Sequence, residues 1–212
     1  MSDIPMQGPI SIFYFLVLIF SIIVHEVAHG LAAEREGDPT ARHLGRITLN
    51  PLKHIDWFGS VILPLLLIIS NAGFVVGWAK PVPYNPDQLK HGNKSIAIVS
   101  IAGIVVNLGV AVFFGLLIRG LVAIGHTDPA TIDIASIIVV VNIVLALFNA
   151  IPLAPLDGFR FLSAVLPWRA QPFMRQVEQF SLPLLLLFIV FGWKVVAPLA
   201  FNLYTLLTGI AV

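Results

Sequence analysis

The sequence predicts an all-α polytopic membrane protein, a bundle of about 4–6 membrane segments with a small β-strand or hairpin element beside its polar centre. Three observations lead there. Of the 212 residues, 58% are hydrophobic and only 11% charged, against about 45–50% and about 25% in an ordinary soluble domain. Mean hydropathy is +0.96. Apolar runs recur to the end of the chain, where a signal peptide would supply one near the start. Water is not the main solvent of such a chain. It reads as a single integral-membrane domain over 1–212, with a core at about 10–165 and C-terminal membrane segments at about 180–210.

The elements follow in order. A crossing helix needs about 20 mostly apolar residues. Ile10 to Ala33 supplies the first and stops at the charged cluster Glu34, Arg35 and Glu36. No Lys or Arg lies between Met1 and Tyr14, so the run lacks a basic n-region and reads as a retained helix. Residues 38–56 are more polar, and Gly45 to Asn50 alternates like a short strand. Trp57 to Ser70 is apolar but short, with Pro64 inside it, as a re-entrant or half-crossing segment would be. Phe74 to Pro83 reads as an extended strand ended by prolines. Ser95 to Ile124 and Ile134 to Ile151 are the second and third full spans. A partly amphipathic piece runs from Asp157 through Trp168 and Arg175. Leu182 to Ile210 is apolar but interrupted by Pro183, Gly192 and Pro198, as one kinked helix or two short ones.

The net charge of +1 gives no electrostatic footing for nucleic acid. The absence of cysteine excludes disulfides, thiolate metal sites and cysteine nucleophiles. Basic residues collect in three regions: Arg35 to Lys53, Lys80 to Lys94, and Arg160 to Arg175. Loops rich in Lys and Arg tend to stay in the cytoplasm. The simplest topology puts the N-terminus outside and all three regions inside, in the plasma membrane. That requires Trp57 to Ser70 to enter and leave on one side.

The chemistry is concentrated in the first span, where His25-Glu26-Val27-Ala28-His29 forms HExxH. At 3.6 residues per turn, the two histidines share a helix face and can reach one metal ion, with Glu26 beside them to take a proton from water. In a soluble helix the same five residues could be a surface cluster. Here His25 lies fifteen residues into the span, about 23 Å along it, where ionisable groups are costly unless they face inward and have partners. A hydrolytic zinc takes three protein ligands and one open position. Asp157, after Asn149-Ala-Ile-Pro-Leu-Ala-Pro-Leu, is a candidate third ligand. By spacing alone it serves equally as a turn residue before Gly158, after prolines that merely end the helix.

These residues resemble the site-2 protease family of intramembrane zinc metalloproteases. The family's two signatures are HExxH in a membrane helix and a later N-x-x-P-x-x-x-x-D-G, matched here as HEVAH at 25–29 and NAIPLAPLDG at 149–158. Gly77-Trp-Ala-Lys-Pro-Val-Pro83 is similar to the compact prokaryotic branch, which has no PDZ or CBS domain. The resemblance implies one zinc per chain held by His25, His29 and Asp157, with Glu26 as general base. It implies that Asn149 holds substrate backbone or the developing oxyanion. It also implies a strand that pairs with unwound substrate, for which Gly77, Trp78, Ala79, Lys80 and Pro81 are candidates. The implied reaction is hydrolysis of peptide bonds in or near transmembrane segments of membrane-anchored proteins, with the site towards the cytoplasmic side.

One stretch departs from the family's A-G-P-x-x-N pattern. Ala102-Gly-Ile-Val-Val-Asn107 has Ile104 in place of Pro but keeps Asn107, a polar contact near the site or an interhelical hydrogen bond. His43, His54, His91 and His126 fall in loops and are expected in solvent. A metal-ion transporter would use similar residues, but transporters commonly carry paired repeats and none is visible.

Overall fold

The computed structural model describes residues 9–70 and 79–210. Helices dominate. Helix α1 runs Pro9–Arg35, the short α2 Thr40–His43, α3 Leu63–Ile69, α4 Asn93–Ala123 and α5 Pro129–Asn149. Then come α6 Asp157–Val165, α7 Gln171–Gln179, α8 Ser181–Phe191 and α9 Trp193–Thr208. Three of these, Ile12–Arg35 of α1 together with α4 and α5, are long and apolar enough to cross a membrane. The count rises to four if the helical stretch Trp168–Gln179 and α8, bent by 67°, form one span.

Helix α4 is the hub, packed against α1, α5, α6 and α9. Its 31 residues measure about 46 Å, longer than the hydrocarbon core is thick. Small residues let the neighbours close on it. Ala111 of α4, Ala135 of α5 and Ala200 of α9 are buried together with Ile118, Val139 and Ile143. Two polar pairs bridge helices in this interior: Ser136 Oγ lies 2.8 Å from Tyr204 Oη, and Asn142 Nδ2 donates to Ser21 Oγ at 3.0 Å. Large apolar side chains such as Phe15, Phe113 and Leu116 point outward instead. That inversion suits lipid as solvent, in which backbone polar groups must be satisfied within helices.

The expected β element does not appear among the described residues. Among the described residues no β-strand forms, either at 45–50 or at 79–83. Gly77 and Trp78 lie outside the described residues. Ala79 to Pro83 is irregular chain, and its hydrogen bonds go elsewhere: Lys80 N–H to the His54 carbonyl at 2.8 Å, and Val82 N–H to a side chain. Prolines at 81 and 83 remove the donors that a ladder would need.

Trp57 to Ser70 is helical, opening with a π-helical stretch Trp57–Ile62 before α3. The His54–Lys80 hydrogen bond joins the two ends of this excursion. The C-terminal region is two helices, broken at Gly192, with Pro198 accommodated inside α9. His54, expected in solvent, is 2% exposed, with Nε2 2.9 Å from the Thr48 carbonyl.

Asp38, after α1, ties the returning chain to the bundle. It is fully buried and accepts from Asn85 N–H at 2.5 Å and Thr40 N–H at 3.0 Å. Burial pushes its carboxyl up, but the Thr40 hydroxyl and the two backbone donors outweigh that and hold it below the usual value of 3.8. A depressed carboxyl stabilises the fold above that value and loses the contribution as pH falls below it. Asp38→Asn is expected to cost about 1–3 kcal/mol at pH 7. Thermal unfolding in detergent should show the gap to wild type closing below about pH 3.8.

Candidate metal centre

The centre is built where α1, α4 and the start of α6 meet. His25 and His29, one turn apart on α1, present their Nε2 atoms to the interior 3.1 Å from each other. Asp157, the first residue of α6, places Oδ2 2.9 Å from His25 Nε2 and 3.1 Å from His29 Nε2. All three residues are buried. Asp157 reaches this depth because α5 stops at Asn149, before Pro152 and Pro155, and the chain doubles back. Gly158 sits so close to the Ala150 carbonyl that a Cβ would fall inside 3.0 Å of it. Only glycine permits that return.

The hydrogen-bond partners fix which nitrogens face the centre. His29 Nδ1 is 2.7 Å from the Val99 carbonyl, which can only accept, so Nδ1 carries the hydrogen and Nε2 offers its lone pair. His25 Nδ1 is 3.3 Å from Asn107 Oδ1, an acceptor again. With neutral imidazoles, two nitrogen lone pairs and a carboxylate oxygen converge with no hydrogen between them. Such a set repels itself unless a cation lies inside it. Zinc bonds of about 2.0–2.1 Å place tetrahedral ligand atoms roughly 3.3 Å apart, close to the spacing here. The donor set fits zinc, and each histidine has the second hydrogen bond that metal-bound histidines usually have.

Asn107 is therefore brought to the site, though towards His25; it is fully buried on α4. Asn149 is partly buried at the end of α5, with Nδ2 donating to the Leu145 carbonyl at 3.0 Å. Glu26 is partly buried beside the three donors, and its Oε2 accepts from Val82 N–H at 2.7 Å. Lys80 and Pro81 give their carbonyls to Arg46. Gly103 escaped the sequence reading. A Cβ there would lie inside 3.0 Å of Cε1, Nε2 and Nδ1 of His25, so the imidazole lies directly on the α4 backbone. Its signal was available: Gly103 and Asn107 are four apart and share a helix face.

Three buried donors that could hold a metal ion, set among helices long and apolar enough to cross a membrane, are the features of an integral membrane metal-binding protein. The profile of Peptidase family M50 matches residues 118–192. Over 198 residues the chain is 39% identical to “Putative zinc metalloprotease YwhC” of Bacillus subtilis strain 168, covering 90% of this chain and 84% of that one. Over 176 residues it is 30% identical to “Putative zinc metalloprotease Rip2” of Mycolicibacterium smegmatis, covering 81% of this chain and 64% of that one. No solved structure matches. The chain belongs to peptidase family M50, the site-2 protease family, and is a zinc metalloprotease.

Proposed function

We propose that this protease hydrolyses peptide bonds in or near transmembrane segments of membrane-anchored proteins, using one zinc per chain held by His25, His29 and Asp157. The observation that carries the reading is the convergence of three buried donors, two of them inside a membrane helix, with a carboxylate beside them. When bound, zinc lowers the pKa of a water to about 7 and polarises the scissile carbonyl. Glu26 accepts the proton of the attacking water through the oxygen not engaged by Val82, then passes it to the leaving amine. Asn107 orients His25. Asn149 contributes its free Oδ1 to a substrate N–H, since one amide hydrogen is already given to Leu145.

The site lies towards the cytoplasm of the plasma membrane. Arg35, Arg46, Lys80 and Lys90 gather where α1 ends and α4 begins, while the turn from Ala123 to Pro129 has no Lys or Arg. His25 is ten residues before Arg35, about 15 Å from that end. Depth of this order shields the site from water yet leaves it near the loops.

The test is cleavage of a tagged single-span protein by the purified chain in detergent. Wild type should cleave and carry one zinc. Glu26→Gln should lose at least about 10³-fold in rate, beyond the 10²–10⁴ contribution typical of acid–base catalysis at its lower end, and keep its zinc. Cleavage at the wild-type rate by Glu26→Gln would remove Glu26 from the reaction.

A further inference from the structure

We propose that Arg46 is a positioning residue for Glu26, acting through the extended segment Lys80-Pro81-Val82. The inference rests on the reading of Glu26 as the proton acceptor. Three facts connect the two residues.

The first is the aim of the Val82 N–H. In Pro81-Val82-Pro83 the flanking prolines have no N–H, so the tripeptide has one backbone donor. That donor meets Glu26 Oε2 at 2.7 Å. The prolines also bias the residues before them, Lys80 and Val82, towards extended conformations. The Val82 side chain is buried against Gly30, one turn beyond Glu26. One carboxylate oxygen is thereby fixed and the other is left for water.

The second is what backs the segment. Lys80, Pro81 and Pro83 line a cleft of about 690 Å³ together with Arg46 itself. Hydrogen bonds hold the segment there. Arg46 Nη2 donates to the carbonyls of Lys80 and Pro81 at 2.8 and 3.2 Å, and the His54 carbonyl receives Lys80 N–H at 2.8 Å. Asn85 N–H, bonded to Asp38, closes the downstream end.

The third is the cost. Arg46 is 8% exposed, and its Nε has no partner. Among the described residues no carboxylate pairs with it. Burying a guanidinium on two neutral carbonyls is a poor way to stabilise a loop. Placing the single donor that fixes Glu26 gives the charge a purpose. A hydrogen bond to a charged group also gains from a rigid donor, because misplacement of about 1 Å costs about 100-fold in rate.

The experiment measures kcat, KM and zinc content of the purified chain on the single-span substrate for Arg46→Gln, Arg46→Lys, Val82→Pro, Val82→Ala and the double Arg46→Gln/Val82→Pro. Val82→Pro deletes the N–H, whereas Val82→Ala keeps it. Val82→Pro is expected about 10- to 100-fold below Val82→Ala in kcat, the range for a hydrogen bond to a charged group. Arg46→Gln should fall similarly in kcat, with KM within about twofold and one zinc retained, and Arg46→Lys should recover part of the loss. The double variant should be no slower than Val82→Pro, because both changes break one path. Equal kcat for Val82→Pro and Val82→Ala, or a double variant that multiplies the two losses, overturns the proposal. Should Arg46→Gln fail to fold, the Val82 pair still decides whether the N–H acts on Glu26. Glu26→Gln run alongside separates the two levels. If it cleaves normally, the reading of Glu26 fails; if it is dead while Arg46→Gln keeps wild-type kcat, only the role of Arg46 fails.

Discussion

Replacing Gly103 with alanine is expected to strip zinc from the protein and abolish cleavage while leaving α4 helical. By propensity alone the change favours a helix by about 0.8–1.0 kcal/mol, so any loss must come from contact. The added Cβ would sit inside 3.0 Å of three atoms of the His25 ring. Relief has no easy direction. The ring is held on one side by Asn107, and His29 meets it edge-on with ring centroids 4.7 Å apart. His25 must leave by something near 1 Å, a displacement that costs about 100-fold in function. Zinc content by atomic emission, and cleavage of the single-span substrate, check this. Gly109→Ala on the same helix is the control, since nothing lies within 4 Å of a Cβ there. Zinc retained at wild-type affinity in Gly103→Ala would contradict the close packing of ring on backbone.

Asp157→Asn is expected to weaken zinc binding at least about 100-fold, more than the 10- to 100-fold typical of losing an outer-shell partner. The side chain keeps its shape and loses its charge. A dication at this depth would then face only neutral donors in surroundings of low dielectric, where charge is expensive to leave uncompensated. Competition with a chromophoric chelator measures the affinity, and cleavage should be lost with the metal. Asp133→Asn, an exposed carboxylate near the start of α5, controls for general charge effects. Unchanged affinity in Asp157→Asn would remove Asp157 from the ligand set.

The parts of this site that were legible in the sequence are those encoded by spacing along one helix. His25 and His29 declare themselves by a four-residue interval; Asp157 follows only from the resemblance, since by spacing alone it serves equally as a turn residue before Gly158. The parts that escaped depend on which element packs against which. Gly103 matters because α4 crosses α1 at His25, and no local pattern states that crossing. Arg46 and Val82 act through backbone groups, which carry no residue-type signal. The strand expected at 74–83 followed from β-branched residues and prolines, but a strand needs a partner edge. In its described part, 79–83, the Lys80 and Val82 donors are taken by His54 and Glu26. The position of His54 between elements predicts a solvated side chain, whereas its ring and its carbonyl are both hydrogen-bonded within the fold.

The hydrogen bond between Lys80 and His54 has a consequence for how this fold can vary. Because it joins His54 to Lys80, it acts as a clasp that holds the two ends of the intervening chain together. Loop-closure entropy grows only slowly with length, so segments of other sizes can hang from the same clasp while the geometry below it stays as it is. A reporter or affinity handle inserted between the two ends is expected to leave the clasp in place. The clasp itself tolerates no such freedom, since Lys80 sits two residues from the amide that holds Glu26.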